Sequence, residues 1–270
     1  MKHKGLAALL AAGCLALLAG CAAPGGSPAS ASGAWDPCVP EEGAAAVTCR
    51  IVDGAADGAL LLAGQGEDEG LYRLGVGETP LFLDDRPAAA ADLADGMLVT
   101  VYFDGQVQES YPAGFSGVSE IRAQSQGADD RCGLVLEVFE ELWNTDEGLN
   151  DGVVELGVDI DPTLVPNAAE RAGIAWRFGE LRGVQNPLQG TWEELAEQGY
   201  IQKEGLIWPE GCFFSFRAAE NTQPAADRFE FDAQKWRSGL GAYFFQNCTA
   251  RAAKGGAGGW TYEVGAHAIA

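Results

Sequence analysis

Two histidines stand in 270 residues, His3 and His267. His267 lies three residues before the last, where chains tend to fray. Ser-His-Asp and Cys-His catalysis both need a firmly held imidazole, and histidine-rich zinc sites need more than one. The sequence therefore sets those chemistries aside, and His267 reads as a strand residue. Carboxylates are plentiful instead: 39 Asp and Glu stand against 17 Lys and Arg, a formal net charge of −22. Glycosidases use carboxylate pairs, but across a cleft. Asp159 and Asp161 fall on one side of an expected strand, yet a chain with 39 acids offers many such pairs. The run Asn144-Thr-Asp-Glu-Gly-Leu-Asn-Asp-Gly152 is rich in oxygen donors. An EF-hand loop needs Gly at its sixth position, where Leu149 falls when counting starts at Asn144. No metal site is expected. No phosphate-binding loop, dinucleotide fingerprint or H-E-x-x-H string is present, so no cofactor is expected either.

The clearest chemistry lies at the start. Met1-Lys-His-Lys4 is a short basic segment, Gly5 to Leu18 is an apolar run, and Leu18-Ala19-Gly20-Cys21 follows. This order is that of an export signal. Leu-Ala-Gly-Cys resembles the lipobox of bacterial lipoproteins. The resemblance implies that residues 1–20 are a removable signal peptide and that the Cys21 thiol carries diacylglycerol. It places the body at the outer face of the cell membrane, lipid-anchored. The competing reading, a membrane-spanning helix over 5–23, has about the minimum length for a span, but includes several Gly and Cys. Residues 21–43, rich in Ala, Gly, Ser and Pro, read as a flexible tether.

Without Lys2 and Lys4 the body carries 15 basic and 39 acidic residues. Such a chain repels phosphate backbones, so nucleic-acid partners are not expected, and it stands off anionic headgroups. The acidity serves solubility, or recognition of a cation or basic peptide. Export permits disulfides. Cys38 with Cys49, and Cys212 with Cys248, are candidate bridges, and Cys132 is left over. Buried thiols packed as small apolar groups are the alternative.

The elements that must position any site divide into two. Over residues 44–126, short alternating segments such as Ala46–Val52 and Met97–Phe103, closed by Asp-Gly turns, predict a small all-β, OB-like barrel. Asp104-Gly-Gln-Val-Gln-Glu-Ser-Tyr-Pro-Ala113, preceded by Asp95-Gly-Met-Leu-Val, resembles the signature of YobA-like domains of secreted bacterial lipoproteins. That resemblance implies a β-barrel and export, and no known activity. Over 130–270 an α+β domain with a mainly antiparallel sheet is expected. Val135, Val138, Phe139 and Leu142 form one helical stripe, Asn167 caps a second helix with Ala172, Ala175, Trp176 and Leu181 inward, and Thr191-Trp-Glu-Glu194 is a capping box. Strands are expected at 153–160, 206–216, 229–231, 235–248 and 260–268, an order compatible with a cystatin- or NTF2-like cone. The string Phe231–Phe245 with Gly259–Tyr262 resembles tails of uncharacterised clostridial lipoproteins.

Two groups of side chains are candidates for binding. Glu109 and Tyr111 form a polar ledge at the barrel rim, or Tyr111 packs and Pro112 ends a strand. Trp208, Trp236, Tyr243 and Trp260 line a concave aromatic face suited to sugars or peptides, or they are ordinary core. Lys235 and Arg237 are expected to pair with carboxylates. With catalytic machinery missing, the sequence leans away from an enzyme and toward a lipoprotein that binds a protein or glycan ligand. The alternatives are a carboxylate-dependent glycan hydrolase and a protease-inhibitor-like protein.

Overall fold

The computed structural model describes residues 43–67, 69–220, 224–253 and 258–270. The expected signal peptide, Cys21, most of the expected tether and Cys38 lie outside the described residues. The chain is mostly β, with three α-helices and two mixed sheets among the described residues.

The first sheet is built from β1 (Ala45–Asp53), β2 (Ala59–Gly64), β3 (Leu71–Gly75), β4 (Leu81–Leu83), β5 (Arg86–Pro87), β6 (Leu98–Phe103), β7 (Val107–Gln108), β8 (Ala113–Phe115) and β9 (Glu120–Gln124). Its hydrogen-bonded order is β5-β4-β9-β6-β1-β2-β3-β8-β7. The path ends at β5 and β7, so the sheet is open where a closed barrel was expected. Alternation selects the buried side: Val99, Val101 and Phe103 of β6 are buried, and Leu98, Thr100 and Tyr102 are only partly so. β2 does not alternate, because both its faces are covered. Leu60 and Leu62 enter the core of the first sheet, and Leu61 and Ala63 pack toward the helices.

The second sheet holds β10 (Glu155–Ile160), β11 (Leu188–Gln189), β12 (Gly211–Ala218), β13 (Arg228–Ser238), β14 (Gly241–Ala252), β15 (Trp260–Glu263) and β16 (Ala266–Ile269). Its order is β11-β10-β12-β13-β14-β15, with β16 also paired to β14. β10 runs parallel to both neighbours and the remaining pairs are antiparallel. Helices α1 (Arg131–Asn144) and α2 (Ala168–Arg182) cover one face. The α1 stripe is Val135, Val138, Phe139 and Leu142, all fully buried, and Phe139 meets Phe178 of α2 and Phe214 of β12 with ring centroids 5.3 and 5.6 Å apart. Asp130 caps α1 and Asn167 caps α2, each accepting from the amide three residues on. α2 also packs on β1, β2 and β3. Gly173 permits this: a side chain there would press on Val52 and Leu71.

Three expectations change in detail. α2 is phased only partly as expected: Ala175 is buried, but Gly173, Ile174 and Phe178 make up the rest of the inward stripe, Ala172 and Trp176 are half-buried and Leu181 is exposed. The strand expected from Leu206 begins only at Gly211. The strand expected over 235–248 folds back at Ser238–Gly241, because the turn Ser238-Gly239-Leu240-Gly241 separates two runs that pair with each other, Trp236 opposite Ala242.

Candidate functional site

The face of the second sheet turned away from α1 and α2 is the candidate site, and strand parity decides what it shows. One register row crosses five strands: Asp159 on β10, Ser215 on β12, Gln234 on β13, Phe244 on β14 and Ala268 on β16. The neighbouring row toward the β13–β14 turn is Gly157, Phe213, Trp236 and Ala242. It is roofed by α3 (Trp192–Glu197) and the following loop, through Leu195, Ile201 and Trp208. Thr191 and Glu194 form the expected capping box at its start, with bonds of 3.2 and 2.8 Å. Gly157 and Gly211 make the roof possible, since a Cβ at either would collide with the Trp208 ring. The row on the other side holds Arg217 opposite Asp232. Half the face is thus sealed, and the other half is left open.

That open half forms a shallow cavity of about 310 Å³, lined by Ser215, Arg217, Asp232, Gln234, Phe244 and Gln246, with Glu220 at its rim. Phe244 presents a half-buried ring. Around it stand two amides, a hydroxyl and an ion pair: Arg217 Nη1 lies 2.5 Å from Asp159 Oδ2. Burial raises the Asp159 carboxyl above the usual carboxylate range, and Arg217 opposes that shift. Asp161, the other half of the expected carboxylate pair, is held by its own turn. It accepts from the Thr163 amide and hydroxyl at 2.8 and 2.7 Å and from the Ala218 amide at 3.2 Å. Both carboxylates are therefore engaged within the chain.

The sequence-derived candidates do not converge. Trp208 is buried under the roof and donates from Nε1 to Glu155 at 2.7 Å. Trp236 meets Trp192 edge to face at 5.5 Å. Tyr243 and Trp260 point to the opposite face. Tyr243 is paired with Lys235 in register, one residue out of step with Trp236, and its hydroxyl lies 3.3 Å from His267 Nδ1. Trp260 stacks near Phe229 and donates to Asp129 at 2.7 Å. A single concave face of these four aromatics is therefore ruled out by the two-residue period of the strands. Glu109 and Tyr111 sit at the far edge of the first sheet. Tyr111 is 62% exposed and shares an open cleft with Trp176, Glu180 and Asn186 of the α2 region.

Lys235 and Arg237 have a different role from the one expected. Lys235 is fully buried and donates to the backbone carbonyls of Trp143, Thr145 and Asp146 at 3.1, 2.9 and 3.1 Å. These are carbonyls at the C-terminal end of α1, where a cation offsets the helix dipole. Arg237 donates to the carbonyls of Leu149, Asp151 and Pro209. The oxygen-rich loop 144–152 is thus tied down by protein cations. Among the described residues no group of three or more His, Cys, Asp or Glu side chains is arranged to hold a metal ion.

Cys132, Cys212 and Cys248 are buried and unbridged. Cys212 and Cys248 sit on β12 and β14 with β13 between them. A disulfide, which needs Cα atoms within about 7 Å, cannot span two strand spacings of about 4.8 Å each. That expected bridge is excluded. Burial pushes both thiols up to about 12. Cys49 is buried in the first sheet.

Gln234 and Phe244 are the residues that sequence reasoning missed. Their signal was present: two strands hinged at Gly239-Leu240-Gly241 fix which alternate residues share a face. No family model matches the chain, and no curated protein or solved structure matches it.

Proposed function

We propose that the chain is an extracytoplasmic lipoprotein, held at the outer face of a bacterial membrane by lipid on Cys21, whose body binds a neutral glycan without chemical turnover. The leader supports the address. One observation carries the binding role: the half-open row of Asp159, Ser215, Gln234 and Phe244, with Arg217 beside it. Hydroxyl-rich ligands suit an aromatic ring that receives their C–H faces, flanked by planar groups that both donate and accept. Gln234, Gln246 and Ser215 offer those groups, and the Arg217–Asp159 pair adds charged partners of both signs. Internal neutralisation of that pair, in a chain of net charge −22, favours an uncharged ligand over an anion.

The finer readings of the fold belong to the same proposal. The passage 113–124 runs beside β3 and then beside β6, as the last strand of an OB-like barrel would, which supports the YobA-like reading of residues 44–126. A sheet with helices on one face and an open half on the other is the outline of a cystatin- or NTF2-like cone for residues 130–270. Two experiments test the proposal. Cell fractionation of Cys21→Ala is expected to release the chain from the membrane fraction, and unchanged retention would contradict the anchor. Calorimetric titration with a panel of neutral oligosaccharides is expected to find a binder whose affinity drops about tenfold in Phe244→Ala, or about 1.4 kcal/mol. Equal affinity in that variant would contradict the site.

A further inference from the structure

The turn between β13 and β14 and the loop before β12 end side by side. The Gly239 amide donates to the Leu206 carbonyl at 2.7 Å, and Ile207 bridges both Gln202 and Ser238. Backbone bonds therefore hold the two loops as one rigid tip. Three branched aliphatic side chains on this tip are left in water: Leu240 is 94% exposed, Leu206 49% and Ile207 36%. Leu206 adopts φ of +44°, a left-handed conformation that strains any residue with a Cβ. A turn built only to reverse the chain would take Gly or Asn at that position and a polar residue at 240. Leu206 lies against Gly239, but local structure gives no reason for Leu240, whereas an apolar surface outside the chain does.

We propose that this tip enters the hydrocarbon boundary of the bilayer that carries the anchor. The inference rests on the lipid-anchor reading of Cys21. Two observations select a bilayer over a pocket on another protein. First, Cys21 precedes Gly43, the first described residue, by 22 positions, a span of at most about 75 Å. An anchored body then stays close to the bilayer, so a contact too weak to recruit a free protein is still populated. Second, the tip is convex: Leu240 stands clear between Gly239 and Gly241, and Lys203 in the adjoining loop can extend its ammonium to the headgroup level. Burying a few aliphatic side chains at the acyl boundary is how interfacial segments bind. The net charge of −22 opposes an anionic surface, so neutral lipid is the appropriate probe.

The test uses the full chain, purified from membranes and reconstituted into phosphatidylcholine vesicles, with Leu240→Cys carrying the polarity-sensitive dye NBD. The identically treated wild type supplies the background from native cysteines. Circular dichroism checks that the labelled chain is folded. Blue-shifted emission, quenched by nitroxide-bearing lipids and at least halved in its quenching by the added pair Leu206→Ser and Ile207→Ser, is the expected result. Water-like, unquenched emission from a chain that floats with the vesicles would overturn the tip, as would a blue shift seen only in whole envelopes and not on vesicles, which would indicate a protein pocket. Flotation separates the two readings: if Cys21→Ala floats as well as the parent, the anchor fails, and the quenching still decides the tip.

Discussion

Lys235 shows how much one residue can carry when its partners are backbone rather than side chains. Its ammonium is fully buried and holds three carbonyls at and just past the C-terminal end of α1, with the Trp143 ring 5.8 Å away. Truncation takes the Lys235 donor from the Thr145 carbonyl and one of two donors from the Trp143 and Asp146 carbonyls, which keep the Asn150 side-chain amide and the Leu149 N–H. Lys235→Met is expected to lower unfolding free energy by about 3 kcal/mol in urea melts; a loss below about 1 kcal/mol would contradict the capping role. Asp130 is set up in the opposite sense. Burial first, with Asp95, Asp129 and Asp53 nearby, raises its carboxyl to about 7, against the bond from the Gly133 amide. The folded state therefore holds the proton more tightly than the unfolded state, whose pKa is about 3.9. The contribution of Asp130 is fully present below about pH 4 and is lost as pH rises through 7. Asp130→Asn keeps the cap acceptor and removes the titration. Thermal melts are expected to show it more stable than the parent at pH 8, by about 2 kcal/mol, with the gap narrowing below pH 7 and closing by about pH 4. None of this was legible in the sequence: Lys235 read as a surface pairing residue, because burial of a polar strand position depends on a helix end some 90 residues away.

At the scale of elements, local signals served well where local physics decides. The α1 stripe, the Asn167 cap and the Thr191–Glu194 box are all as expected, because each is a contact within four residues. The four-aromatic face failed because a turn of two glycines shifted strand parity, putting Trp236 and Tyr243 on opposite sides. That turn made Gln234 and Phe244 legible as a pair, but not the full row with Asp159 and Ser215, since which strands join the hairpin is not a local matter. The roof over the other half depends on glycine. Gly211→Ala would drive a methyl into the Trp208 ring and break its 2.7 Å bond to Glu155. It is expected to cost about 2–4 kcal/mol and to red-shift tryptophan emission. An unchanged spectrum and an unchanged urea midpoint would show that the roof is not seated this way.

At the scale of the molecule, the two sheets share helices rather than standing apart. Helix α2 packs on β1, β2 and β3 and, through Phe178, on the core of the second sheet. Arg50 of β1 donates to Glu170 of α2 at 3.0 Å and to the Gly96 carbonyl at 2.7 Å, and Gln65 adds a second bond to Glu170 at 3.1 Å. The frame is tied at these points, and the open half-face is held on four hydrogen-bonded strands. That arrangement suits a site that recognises without closing. The most direct test is amide hydrogen exchange across the whole chain, with and without the tightest neutral oligosaccharide from the titration panel. Added protection is expected only in the strands around Ser215–Arg217, Asp232–Gln234 and Phe244–Gln246, with the sugar recovered at its original length. Protection centred on the Tyr111 cleft, or a shortened sugar, would contradict it.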